Sequence, residues 1–141
     1  MASLPWASLH GASTHFPVAL TIAALGFDSG ALFFWRTPFG ARLRQAGAAA
    51  IAVSALGSIA AVVSGLLLTK GQVWGAGALG WHHRMVWPAF ALIVSAAAWR
   101  VQAGEEASLR SHAAYVGVLF LASALVGAAG YFGGQMLHGL S

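Results

Sequence analysis

The sequence has no cysteine and very few acidic residues. With no cysteine among 141 residues, disulfides, thiolate metal sites, iron–sulfur clusters and covalent c-type haem attachment are all excluded. Any bound metal would need histidine, methionine or oxygen ligands. Only three residues are Asp or Glu, and charged residues make up 7% of the chain. That is too little charge to cover the surface of an ordinary soluble domain.

Long apolar runs take up most of the chain. Hydrophobic residues make up 59% of it, and the mean hydropathy is +0.77. Several runs reach the roughly 20 residues needed to cross about 30 Å of hydrocarbon. We therefore predict an all-α membrane protein, a single domain over residues 1–141 that forms an up-and-down bundle of four transmembrane helices. The predicted spans are about 15–35, 48–69, 83–100 and 112–137.

The basic residues flank the apolar runs. The formal net charge is +4, but the arginines do not form a stripe with interleaved aromatics, which argues against nucleic acid as a partner. The connections after helices 1 and 3 carry five of them: Arg36, Arg42, Arg44, Arg100 and Arg110. The opposite side carries only Lys70 and Arg84. The positive-inside rule then makes the arginine-rich side cytoplasmic and both termini periplasmic.

Three segments that contain histidine should meet at the periplasmic side. We expect helix 1 to begin near His15, with Ser13 or Thr14 as its N-cap and Pro17 in its first turn. Helix 3 should begin at His82 or His83, and helix 4 should end near His138. Because the helices alternate in direction, five of the six histidines lie on this side.

Such a cluster suits a b-type haem, which needs two axial imidazoles on facing helices. At about 100° per residue, His83 shares a helix face with Trp87 and Phe90, whose rings can pack on a macrocycle. We predict His15 and His83 as the axial ligands. His82 is the competing ligand on helix 3, and His138 is an alternative ligand or a propionate partner. Arg84 is a candidate propionate contact.

Other interpretations of the histidines remain open. A histidine at a membrane interface is commonly an amphipathic anchor or a helix cap. Three histidines together would also suit copper or zinc. A protein without any cofactor would be a structural subunit whose small-residue helices pack in a larger membrane complex. Transport of a metal or small solute would require polar residues at mid-membrane, and these are few.

Asp28 and His112 lie apart from the predicted cluster. Asp28 is the one acid within a span, which suggests a proton relay, a quinone contact or a hydrogen bond that joins helices through a serine. It lies about 140° around the helix and some 20 Å from His15. His112 is about 39 Å along helix 4 from His138, so a second bis-histidine haem has no partner. Complete electron transfer across the membrane would therefore need another subunit.

Several motifs together resemble a known family. They are His15-Phe16-Pro17-Val18-Ala19-Leu20, Ser64-Gly65-Leu66, the histidine that opens helix 3, and the segment Gly133-Gly134-Gln135-Met136-Leu137-His138-Gly139. In these the chain resembles small bacterial four-helix membrane proteins catalogued as domain of unknown function 2231. The resemblance covers nearly the whole chain. It implies a multi-pass protein of the bacterial inner membrane, with His15, one of His82 or His83, and His138 as the matching positions.

The resemblance also implies an association with redox proteins, because family members look like redox-associated membrane proteins, sometimes joined to or encoded beside cytochrome c domains. We therefore expect a subunit of an oxidoreductase complex without catalysis of its own. It would hold one haem b near the periplasmic face and relay electrons between a quinol or a partner enzyme and a periplasmic carrier. Other membrane subunits and a c-type cytochrome are the expected partners. The alternatives are a copper or zinc site, or no cofactor.

Overall fold

The computed structural model describes residues 5–104 and 107–137, and these residues form four α-helices. Helix α1 covers Pro5–Phe33, α2 covers Pro38–Leu68, α3 covers Gly77–Ala103 and α4 covers Leu109–Leu137. Each helix is long and apolar enough to cross a membrane. The predicted fold class is confirmed: the chain is an all-α membrane protein with four helices of spanning length.

Each helix packs against the helices next to it in a closed ring, α1 on α2, α2 on α3, α3 on α4 and α4 on α1. The core between them is built largely from alanine, with Ala24, Ala31, Ala96 and Ala122 completely buried. Small side chains let membrane helices approach closely, where van der Waals packing and not the hydrophobic effect drives association. The large apolar side chains are mostly outside, as expected for a surface that faces lipid.

The antiparallel arrangement gives the bundle two chemically different ends. One end joins the beginnings of α1 and α3 to the last turns of α2 and α4, and it contains His10, His82 and His83. We call it the histidine end. The other joins the end of α1 to the first turns of α2 and α4 and the last turn of α3, and we call it the arginine end.

Helix α1 begins at Pro5, ten residues before the start predicted near His15. The predicted start was therefore wrong. Ser13 and Thr14 are not N-caps, because their hydroxyls donate to the carbonyls of His10 and Gly11, at 3.0 Å each, within a continuous helix. Pro17 therefore lies inside the helix. Its carbonyl oxygen accepts hydrogen bonds from the hydroxyls of Thr21 and Ser54, both at 2.8 Å. The bond from Ser54 ties α1 to α2 where the proline interrupts the backbone ladder.

The stretch 37–40, which lies between the first two predicted spans and was interpreted as a turn, is the beginning of α2. Thr37 is the N-cap, its hydroxyl accepts a hydrogen bond from the Gly40 amide at 3.1 Å, and Pro38 occupies the first helical position. An N-cap threonine followed by proline favours a helix start, and the chain uses this signal. As a result Arg42 and Arg44 lie on a helix and not in a loop. Helices α3 and α4 also begin earlier than predicted, at Gly77 and Leu109.

Candidate functional site

His10 faces the interior of the histidine end from α1. Its Nδ1 lies 3.1 Å from the carbonyl oxygen of Ala61 and 3.0 Å from Oγ of Ser64, both on α2. The Ser64 hydroxyl itself donates to the Ala61 carbonyl at 2.9 Å. Nδ1 therefore meets two acceptors and must carry the ring hydrogen. The Nε2 atom of His10 is left with its lone pair free.

His82 is held in the same way from the opposite pair of helices. Its Nδ1 donates to the carbonyl oxygen of Ala129 on α4 at 2.8 Å, because a carbonyl can only accept. His82 lies within electrostatic range of His10. The ring of His83 is buried, and its centroid is 6.0 Å from that of His82. Three imidazoles from α1 and α3 thus occupy one end of the bundle.

Glycines on α2 and α4 lie next to the rings of His10 and His82, and one of them is needed for space. A Cβ atom added at Gly65 on α2 would stand 3.0 Å from Cε1 of His10, tighter than ordinary packing allows. A Cβ added at Gly133 on α4 would meet Nδ1 of His82 at 3.5 Å, an ordinary contact. The position of His10 against α2 therefore depends on glycine at residue 65.

The structure separates the predicted site residues. His15 is exposed, because it lies about 140° around α1 from His10 and therefore faces away from α2. His82 and His83 lie side by side inside the bundle. Arg84 is exposed, with its guanidinium carbon 4.7 Å from the centre of the Trp81 ring. His138 lies outside the described residues. The predicted ligand pair of His15 and His83 stays a prediction, while the geometry favours His10 as the histidine from α1.

His10 and His82 each have one anchored and one available ring nitrogen. Within residues 5–104 and 107–137, no three His, Asp or Glu side chains come close enough together to hold one metal ion. Metal-bound histidines commonly donate their other ring N–H to a carbonyl, which fixes the tautomer and the direction of the ring. His10 and His82 both make that contact through Nδ1. Each presents Nε2 as the atom available for a ligand bond.

The arginine end contains a buried cluster that the sequence interpretation missed. Asp28 is 0% exposed and His112 is 1% exposed. Nε2 of His112 lies 3.2 Å from the backbone carbonyl of Asp28 and 3.3 Å from its carboxyl Oδ1. Asp28 therefore joins α1 to α4 through a histidine, and the interpretation that it joins helices through a serine was wrong.

Two arginines and a tyrosine surround this pair, and we call these five residues the Asp28 cluster: Asp28, Arg44, Arg100, His112 and Tyr115. Both guanidinium groups act on the Asp28 carboxyl through space, and the phenol of Tyr115 lies beside it. Arg100 donates from Nη2 to the Arg44 carbonyl at 2.8 Å, and Arg44 donates from Nη1 to the Trp35 carbonyl at 3.2 Å. Two of the five arginines counted as topology signals thus belong to a packed site drawn from all four helices.

Gly47 on α2 leaves space that the Asp28 carboxyl occupies. A Cβ atom built on Gly47 would overlap Oδ2 of Asp28 and stand 2.6 Å from its Cγ. Gly47 is buried, so no larger residue fits without displacing the carboxyl. The position of the Asp28 side chain therefore depends on the missing side chain at Gly47 as well as on the ring of His112.

A comparison with known protein families identifies the chain. Residues 7–139 match the model of a family described as predicted membrane protein, DUF2231. The chain belongs to the DUF2231 family. This confirms the resemblance drawn from the motifs, and the family's description as a membrane protein agrees with the four long apolar helices. No curated protein and no solved structure matches the chain.

Proposed function

We propose that this DUF2231 protein is an electron-carrying membrane subunit that binds one b-type haem through imidazoles at its histidine end. One observation carries the proposal. His10 and His82, from different helices, are both anchored through Nδ1 to backbone carbonyls and both present a free Nε2. Bis-imidazole ligation of haem in a helical bundle requires that set of atoms.

The donor set fits the chemistry of the group. Without cysteine, thiolate ligation and covalent attachment are excluded, whereas neutral imidazole nitrogen is a common ligand of haem iron. A haem bound there would accept and release single electrons near one membrane surface. The hydrogen bonds from Nδ1 fix the directions of the two rings. Arg84 is an exposed cation at the same end, available to a haem carboxylate.

The proposed setting follows from the charge distribution. The positive-inside rule places the arginine end at the cytoplasmic face and the histidine end at the periplasmic face of a bacterial inner membrane. Electrons would pass between a quinol or a membrane partner enzyme and a periplasmic carrier such as a c-type cytochrome. The chain would contribute no catalysis of its own.

Optical and elemental analysis of the purified protein tests the proposal. The chain should be isolated from bacterial membranes with haem supplied during expression, and then analysed by pyridine haemochrome and by elemental analysis for iron, copper and zinc. We expect a Soret band and near-stoichiometric iron. His10→Gln and His82→Gln should each lower haem content about tenfold or more, because each removes a ligand.

His15→Gln is the matched control, since it removes an exposed histidine from the same helix as His10. It should leave the haem content unchanged. Loss of haem in His15→Gln but not in His10→Gln would return the ligand role to His15, as the sequence alone predicted. Wild-type protein without haem iron would contradict the proposal, and copper or zinc in its place would identify a different metal.

A second candidate is a cofactor-free structural subunit of a larger membrane complex. One observation favours it: Gly117, Gly127 and Gly130 of α4 are exposed, and nothing lies within 4 Å of a Cβ added at any of them. Open glycines on a membrane helix permit close approach of another helix. In this case the triple variant with alanine at His10, His82 and His83 would still assemble with its partner complex.

A further inference from the structure

The Asp28 cluster contains several buried polar atoms that lack a well-formed hydrogen bond. Among the described residues, Nδ1 of His112 is buried without a hydrogen-bond partner, and the carboxyl oxygens of Asp28 and the Tyr115 hydroxyl are buried side by side without a well-formed hydrogen bond. The Nε atoms of Arg44 and Arg100 are also buried without a hydrogen-bond partner. Buried polar atoms in native proteins are nearly always paired. A concentration of such atoms within one small region therefore needs a structural or functional explanation.

The hydrogen-bond partner of His112 determines which of its nitrogens is free. Nε2 points at the backbone carbonyl of Asp28, an atom that can only accept, so Nε2 carries the hydrogen. In the neutral ring Nδ1 is then a bare acceptor, buried and without a partner. The same Nε2 lies 3.3 Å from a carboxyl oxygen. A carboxyl that orients an imidazole and can balance its positive charge is the arrangement that makes histidine a proton acceptor.

We propose that Asp28 and His112 form a proton-binding dyad, in which Nδ1 of His112 takes up one proton from water at the arginine end and Asp28 balances the charge. In this step an N–H bond forms at Nδ1 and an O–H bond of a hydronium ion breaks, which leaves a neutral water. No electron moves. The dyad does not depend on haem at the histidine end.

The dyad consists of Asp28 from α1 and His112 from α4. Three charged or titratable groups face it: Arg44 from α2, Arg100 from α3 and Tyr115 from α4. The two permanent positive charges attract a carboxylate at Asp28 and repel a positive charge on His112. Proton uptake therefore depends on the short contact between Asp28 and His112. Without the carboxylate, a third positive charge would stand in a buried site.

Only a small ligand can reach the dyad, and the dyad lies close to the beginning of α4. Asp28, His112 and Tyr115 are each at most 1% exposed, and the rings of Trp35 and Tyr115 lie with centroids 5.1 and 5.7 Å from that of His112. Close packing of this kind leaves space for a proton and not for a quinone. His112 is three residues from the beginning of α4, about 4.5 Å along the axis from the helix end.

Isotope-edited infrared spectroscopy tests the dyad in the full-length protein. Protein with isotope-labelled histidine is placed in phosphatidylcholine and phosphatidylglycerol bilayers, and difference spectra are recorded between about pH 8 and about pH 5, where histidines change charge. We expect a reversible imidazolium band that His112→Gln removes and that Asp28→Asn also removes over this range. His15→Gln, which removes an exposed ring, is the control and should leave that component unchanged.

Each outcome decides the proposal. A wild-type spectrum with the same histidine bands as His112→Gln would overturn it. An unchanged His112 band in Asp28→Asn would overturn the pairing with the carboxyl. If Asp28→Asn does not fold, Gly47→Ala provides the second variant, because its methyl group occupies the position of the carboxyl. It should weaken the His112 band, and an undiminished band would count against the dyad.

Discussion

The two ends of this bundle hold their histidines through opposite ring nitrogens. At the histidine end, His10 and His82 are anchored through Nδ1 and present Nε2. At the arginine end, His112 is anchored through Nε2 and leaves Nδ1 bare beside a carboxyl. Under the two proposals, the same type of side chain serves two different chemistries. A ring anchored by a carbonyl and remote from a carboxyl suits a metal, whereas a ring against Asp28 suits a proton.

The ends also differ in what they contribute to stability. The Asp28 cluster places opposite charges in a buried site where four helices meet, so loss of one charge leaves the others uncompensated. The rings of the histidine end are held by a few neutral hydrogen bonds to backbone carbonyls and the Ser64 hydroxyl. We therefore expect substitutions at the arginine end to change the free energy of unfolding strongly, and substitutions at the histidine end to change cofactor content instead.

The largest effect is expected for Asp28→Ala. It removes the negative charge that faces Arg44, Arg100 and His112. The free energy of unfolding should fall by roughly 3 to 5 kcal/mol, the usual cost of an unpaired buried charge. Thermal unfolding in detergent, followed by circular dichroism, measures it. Ser29→Ala is the neighbouring control, and equal stabilities of the two variants would show that the cluster has no such role.

A smaller loss is expected for Gly47→Ala. The added methyl overlaps the Asp28 carboxyl, and overpacking of this kind typically costs about 1 to 3 kcal/mol. Gly26→Ala on α1 is the matched control, because nothing lies within 4 Å of its added Cβ. Its stability should stay within about 0.5 kcal/mol of the wild type. A Gly47→Ala protein as stable as Gly26→Ala would mean that α2 does not fix the carboxyl.

At the histidine end, His82→Phe should have a modest effect on stability. It keeps a ring of similar shape but removes the hydrogen bond from Nδ1 to the Ala129 carbonyl, a net loss of about 1 kcal/mol. Haem content should nevertheless fall about tenfold or more in the same preparation. A loss of stability as large as that of Asp28→Ala would remove the contrast between the two ends.

The smallest effect is expected for Arg84→Gln. The guanidinium lies over the exposed Trp81 ring, and a cation–π contact at such a site contributes about 0.5 to 1 kcal/mol. Thermal unfolding should therefore change little. If Arg84 contacts a haem carboxylate, the haem should dissociate faster from the variant, as followed by transfer of haem to apomyoglobin. An unchanged rate would exclude that contact.

The fold could be predicted from the sequence because four apolar runs of spanning length allow few arrangements. The helix starts were missed for local reasons. Thr37 and Pro38 form an N-cap and a first helical residue, but a threonine and proline before Phe39 and Gly40 also look like a turn. The early beginning of α1 at Pro5 brought His10 into the bundle, a residue that a helix starting at His15 left outside.

The position of His10 had a sequence signal that was not used. His10, Thr21 and Asp28 are separated by 11 and 7 residues, so at about 100° per residue they lie within roughly 20° of one another on α1. His10 and Asp28 lie about five full turns apart on the same face of α1. This is the face that packs on α2. His15 lies on a different face.

The pairing of Asp28 with His112 could not be predicted. It depends on the packing of α1 against α4 and on the depth at which each helix begins, and neither spacing nor periodicity within one helix determines these. The charge pattern of Arg44 and Arg100 was fully explained by topology, so nothing in the sequence indicated that they also turn inward.

The most direct test of the account is the hydrogen position on each ring nitrogen. Magic-angle-spinning NMR of protein with ¹⁵N-labelled histidine, in bilayers at alkaline pH, distinguishes the two neutral tautomers, and His10→Gln, His82→Gln and His112→Gln variants assign the signals. We predict hydrogen on Nδ1 of His10 and His82, and on Nε2 of His112. The same tautomer at both ends would contradict the account.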